Sequence, residues 1–164
     1  MGEVCGDVTA HAVNPLANIK LFNGTHTVRL DEKKRLTIPA PMRFEGEGAS
    51  AYMALFHPAL GAIMVLPPQM VAKIYAAAEQ ITLSDPAKMD ALGMIGELSQ
   101  MVSCDKAGRV ILNDDLLSRA RIERDAVIRG SVTYFRIQSP TPPAPDRESE
   151  DARRLLSALA ALGL

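Results

Sequence analysis

Two stretches of this chain place an acid and a base at the same spacing. Asp31-Glu32-Lys33-Lys34-Arg35 lies within LDEKKRLTIP (30–39), and Asp105-Lys106-Ala107-Gly108-Arg109 lies within CDKAGRVILN (104–113), 74 positions further on. An Asp at the head of a turn accepts backbone N–H groups. An Arg four residues later can fork onto that carboxylate, onto a phosphate, or onto a guanine edge. Two chemistries are therefore open. Either each Asp pairs with its own Arg and stiffens a hairpin or a subunit contact, or Asp31 and Asp105 shape loop tips from which Lys33, Lys34, Arg35, Lys106 and Arg109 meet a polyanion. In the second case the lysines neutralise phosphates and an arginine can read guanine in the major groove. Arg29 and Arg43 are secondary candidates.

No other group of residues has the spacing of a reaction centre or a metal site. His11, His26 and His57 are far apart and share no ligand spacing with Cys or Glu. Cys104 precedes the second motif Asp without a recognisable base or oxyanion site, and reads as a buried strand residue. GEGAS lacks the Gly-Lys-Ser/Thr ending of a phosphate loop. SDPAKMD reads as a helix cap, and Met89, Met94 and Met101 as core or subunit interface. We expect no enzyme activity, no cofactor and no metal.

Composition narrows the partner class. The 164 residues carry 18 Lys and Arg against 19 Asp and Glu, a formal charge of −1, so polyanion binding must come from a local patch multiplied by oligomerisation. Trp is absent and aromatics make up 4%, which argues against base stacking on aromatic platforms. Two cysteines in unrelated contexts suggest neither disulfide nor metal cluster. No apolar run reaches the roughly 18 residues of a membrane span, and no secretory signal is visible. A reducing cytoplasm is the expected compartment.

The loops need strands to hold them. THTVRL and RLTIP alternate, and read as two strands of a hairpin-like unit with DEKK at its tip. AYMALF (51–56) and GAIMVL (61–66) read as a second pair. Pro67-Pro68 opens a helix with Met70, Ile74, Ala77 and Ile81 on one face. Ser84-Asp85-Pro86 caps another, whose stripe is Met89, Leu92, Ile95 and Leu98. The pattern then recurs: MVSCD as strand, DKAGR as charged loop, RVIL as strand, NDDLLSRARI as a short capped helix, and DAVIRG with VTYFRI as a last strand pair. Aligning Asp31 with Asp105 also aligns Arg35 with Arg109, Leu36 with Val110 and Ile38 with Leu112, so the repeat exceeds the motif and implies a pseudo-twofold fold. QSPTPPAP reads as an extended linker. The final helix bears Leu155, Leu156, Leu159 and Leu162 and is expected to dock on a neighbouring subunit.

The doubled Asp-x-x-x-Arg phrase, each copy set between apolar strands, together with Phe22-x-Gly24 upstream, resembles the MraZ family over roughly residues 21–138. That family is related to AbrB-like transcription factors with swapped-hairpin, double-split β-barrels. The resemblance implies a DNA-binding transcriptional regulator acting on direct repeats in the promoter of the division and cell-wall gene cluster. It also implies a homo-oligomeric ring, an octamer or larger, with basic loops along one rim. Three positions depart from the family pattern. Lys34 stands where Gly is usual, so a different first turn is expected; Asn113 stands where Pro is usual; and the last strand runs into FRIQSP.

The expected fold is thus mainly β with helices (α+β), built as two pseudo-symmetric AbrB-like halves. We expect a flexible arm at 1–20, a first half at 21–82, a second at 83–138, a Pro-rich linker at 139–145 and an amphipathic helix at 146–164. The expected partners are double-stranded DNA and further copies of the chain, with no membrane, in a nucleoid-associated cytoplasmic protein. The alternative is an oligomeric protein-interaction scaffold without DNA binding; a small hydrolase is a further rival, requiring Cys104 or His57.

Overall fold

The computed structural model describes residues 19–43 and 51–164. Most of the expected N-terminal arm, including Cys5 and His11, lies outside them, as does the EGEGAS loop. The described chain runs β1 (Thr25–Arg29), β2 (Arg35–Thr37), a 3-10 turn (Ala40–Met42), β3 (Ala51–His57), β4 (Ala62–Leu66), α1 (Pro68–Glu79), α2 (Pro86–Glu97), β5 (Ser99–Ser103), β6 (Arg109–Ile111), α3 (Asp114–Arg119), β7 (Asp125–Gly130), β8 (Phe135–Gln138) and α4 (Glu150–Ala161). This is the expected α+β class, and every strand pairing is antiparallel.

Six strands form one sheet in the order β1-β7-β8-β4-β3-β5, and β2 pairs with β6 as a separate two-stranded ribbon. The order is palindromic under the repeat, with β1 answering β5, β7 answering β3 and β8 answering β4. The register repeats as well. Arg29 faces Asp125 and, 74 positions on, Ser103 faces Ala51. Each half therefore lends an edge strand to the other: β1 adds to the β7–β8 hairpin and β5 to the β3–β4 hairpin.

This exchange corrects the expected β1–β2 hairpin. The chain does reverse at the charged loop, but the two strands go to different partners. The reason lies in the apolar face of β2. Leu36 and Ile38 are fully buried, and they meet Val110 and Leu112 of the other half in a shared core with Phe22, Tyr52, Ile128, Phe135 and Ile137. Each such side chain contributes on the order of 2 kcal/mol when taken from water, which a solvent-exposed hairpin would forgo.

The helices build a second apolar cluster on the sheet. α1 begins at Pro68, where a missing N–H costs nothing. In α2, Asp85 caps the first turn by accepting from the Lys88 N–H. Met94 and Ile95 are its buried residues, with Leu98 buried at its C-cap; Met89 is exposed, against the expected stripe. Met101 is exposed too, so of the three grouped methionines only Met94 is core. α4 docks on its own chain rather than waiting for a neighbour. Leu155, Ala158 and Leu162 join Leu55, Leu66, Ile74, Met94, Ile95 and Leu98, and Arg154 reaches Asp90 of α2 at 3.1 Å. Leu156, expected on that stripe, faces solvent. No helix among the described residues is long and apolar enough to cross a membrane.

Candidate nucleic-acid interface

The two charged loops form one turn built twice. In the first, the Asp31 N–H donates to the Arg35 carbonyl at 2.9 Å and the Lys34 N–H to the Asp31 carbonyl at 3.0 Å. In the second, the Asp105 N–H donates to the Arg109 carbonyl at 2.9 Å and the Gly108 N–H to the Asp105 carbonyl at 2.9 Å. The carboxylates work alike. Asp31 Oδ1 accepts from the Lys33 and Arg35 N–H groups at 2.8 and 2.9 Å, and Asp105 Oδ1 from Ala107 and Arg109, both at 2.9 Å. Each Oδ2 takes the Nε of its own Arg, at 2.6 Å for Arg35 and 2.7 Å for Arg109.

The Asp–Arg pair expected as one of two readings is thus formed in both copies. It occupies Nε; among the described residues neither arginine donates a hydrogen bond from its terminal nitrogens. The backbone N–H of the motif Arg holds each Asp carboxyl below the usual carboxylate range. The Arg side chain and the second N–H add to this effect, and partial burial opposes it.

The first turn matches the second, which corrects the different turn expected from Lys34 in place of Gly. Lys34 takes φ +56°, the left-handed conformation that Gly108 takes at +76°. Such a backbone costs a residue with a Cβ about 1 kcal/mol or more. Its ammonium reaches Asp114 Oδ1 at 2.5 Å, at the start of α3 in the other half. Gly108 also leaves room for a neighbouring side chain. A Cβ there would fall on the Arg43 guanidinium, which lies across the loop while its Nε donates to the Ile38 carbonyl at 2.6 Å. Asn113 keeps a proline-like φ of −70° and caps α3 by accepting from the Leu116 N–H at 2.8 Å. Its counterpart Pro39 leads only into a 3-10 turn.

Lys33 and Lys106 are exposed at the two tips. Because β2 and β6 are antiparallel and three residues long, the turns sit at opposite ends of one short ribbon. Of the secondary candidates, Arg29 is paired with Asp125 at 2.8 Å and Arg43 is committed to the second loop. Asp114 and the bracing role of Arg43 were not legible in the sequence; nothing in NDDLLS distinguishes a helix-start acid from a partner 80 positions away. The described residues hold no group of three or more metal-ligating side chains. Cys104 lies just past β5 and is half-buried, and burial pushes its thiol up, the reverse of nucleophile activation.

No family model matches the chain. Against curated proteins, it is 31% identical over 119 residues to the transcriptional regulator MraZ of Acidobacterium capsulatum, covering 71% of this chain and 81% of that one. The chain belongs to the MraZ family. MraZ of Xanthobacter autotrophicus is 32% identical over 124 residues (73% and 77%), and that of Mycolicibacterium smegmatis 29% over 117 (71% and 80%). These MraZ proteins carry the name of regulators, not enzymes.

Proposed function

We propose that this chain is a sequence-specific DNA-binding transcriptional regulator whose two Asp-x-x-x-Arg turns are its DNA contacts. Asp31 and Asp105 shape the turns; Lys33, Arg35, Lys106 and Arg109 meet the duplex, and Lys34 lies beside them in its ion pair with Asp114. The observation that carries this reading is the duplication of one turn bond for bond, with an exposed lysine at each tip and, among the described residues, no hydrogen bond from the terminal nitrogens of either arginine. A merely structural turn has no need to leave its strongest phosphate-binding groups at the rim. One loop neutralising two or three phosphates binds weakly and loses that binding as salt rises. A homo-oligomeric ring, an octamer or larger, engaging direct repeats recovers affinity through effective concentration. Its target, by family, is the promoter of the division and cell-wall gene cluster, and its place the nucleoid.

The test is binding of the purified protein to its own upstream promoter DNA at two salt concentrations, with oligomer size checked for each variant. Lys33→Ala and Lys106→Ala remove a cation without touching the turn, whereas Arg35→Ala and Arg109→Ala also remove the partner of an aspartate. Weaker binding with a shallower salt slope in the lysine variants supports DNA contact. A wild type that ignores DNA at low salt but captures a protein partner independently of salt establishes the scaffold instead.

A further inference from the structure

Lys34 and Gly108 occupy the same place in the two turns, yet Lys34 extends to Asp114 while Gly108 has no side chain. The counterpart of Asp114 in the first half is Ala40, which has no carboxylate. The first turn is therefore tied to α3 by a side-chain ion pair that the second lacks; the second is braced instead by Arg43 and by the Ile38 N–H, which donates to the Gly108 carbonyl at 2.8 Å. The tie also changes charge. Asp31 and Glu32 against Lys33, Lys34 and Arg35 leave one positive charge at the first turn, and Asp114 cancels it. At the second turn, Asp105 against Lys106 and Arg109 leaves one positive charge, the Arg43 guanidinium across the loop adds another, and no acid is bonded to Lys106 among the described residues.

We infer that Asp114 is a positioning residue that restrains the first DNA-contacting turn. It holds the Lys34 ammonium in cis, away from phosphate, so the first loop binds DNA more weakly than its sequence of bases suggests. The neighbouring acid, Asp115, is engaged by Arg119 at 2.8 Å, so Asp114 alone performs this role. The inference rests on the proposed DNA-binding reading. It adds that the two loops are unequal, and that the inequality is set by a residue that does not itself touch DNA.

Asp114→Asn keeps the size of the side chain and removes the charge that holds Lys34. Freed, Lys34 adds about one phosphate contact per engaged loop, steepening the slope of log affinity against log salt by about 0.9. The gain over wild type then grows by about threefold per loop between 200 and 50 mM salt. Lys34→Ala in the Asp114→Asn background must abolish the gain, and Lys34→Gly alone must bind with the wild-type slope. Affinities are to be read on promoter DNA, with oligomer size confirmed for every variant. If wild type binds and Asp114→Asn has an unchanged slope, or if its gain survives Lys34→Ala, the restraint is overturned while the DNA-binding reading stands. If wild type does not bind DNA, both fall together.

Discussion

Leu36 faces Val110 across the β2–β6 ribbon, and each is the other's counterpart in the internal repeat. Met64 faces its counterpart Arg136 in the same way across β4 and β8. Only a twofold axis passing through both pairs places equivalent residues opposite themselves. The two turns, the two exchanged edge strands and the two hairpins are consequences of that axis.

Equivalent turns should fail equivalently. Asp31→Asn and Asp105→Asn each weaken an acceptor of two backbone N–H groups and an arginine, so both variants should lower Tm, and by similar amounts. The folded-state carboxyls titrate below the ordinary value of 3.8, so their stabilisation is complete above about pH 4 and is lost as pH falls through the lower folded values. Thermal melts from pH 5 to pH 2 should show a flatter acid limb in each variant than in wild type.

The fourth position of the motif should respond unequally in the two copies. Gly108→Ala forces a Cβ into the left-handed region and displaces the Arg43 guanidinium, and should cost about 1–2 kcal/mol in chemical denaturation. Lys34→Gly relieves a strained backbone while loosening the unfolded chain and losing an exposed ion pair, and should stay within about 0.5 kcal/mol of wild type.

His57 supplies a separate acid sensitivity. It is buried at the end of β3, its Nδ1 has no hydrogen-bond partner among the described residues, and burial depresses its basicity below the ordinary 6.5. A histidine that is neutral when folded but protonates when unfolded leaves stability intact above about pH 6.5. That stability is lost as pH falls from there towards the lower folded value. His57→Leu should remove the part of the Tm decline that lies between pH 6.5 and 5, which melts in that interval will show.

The docking of α4 predicts a contrast between neighbours. Leu155→Ala opens a cavity in the second cluster and should cost about 2–4 kcal/mol. Leu156→Ala, on the solvent side, should change stability by less than about 0.5 kcal/mol. Equal losses at both positions in denaturant titrations would mean that α4 does not sit as described.

The strands, the interrupting helices and the doubled turn were readable because each leaves a local signature: alternation, a capping residue, an acid and a base at fixed spacing. The partners were not. THTVRL alternates equally well whether it pairs with RLTIP or with DAVIRG, and only the demand that Leu36 and Ile38 share a core with Val110 and Leu112 decides between them. The conformation of Lys34 is hidden for a related reason. Its cost in the left-handed region is visible in the sequence, whereas the geometry shared with Gly108 and the Asp114 that meets its ammonium are tertiary. The stripe on α4 differs because two alanines, Ala152 and Ala158, are fully buried, whereas Leu156 faces solvent and Leu159 packs against the cluster only partly buried.

The connection of the two halves through α1 and α2 has a consequence for how this molecule can change. Were each half a separate chain pairing with an identical copy, assembly would depend on concentration, and any substitution would appear at both symmetric places at once. In one covalent chain, pairing is a first-order event, and the two places vary independently. Lys34 can differ from Gly108, and a 3-10 turn at Ala40–Met42 can answer a full helix at Asp114–Arg119, without either change being imposed on its counterpart. The axis conserves architecture while leaving each half free to acquire its own affinity.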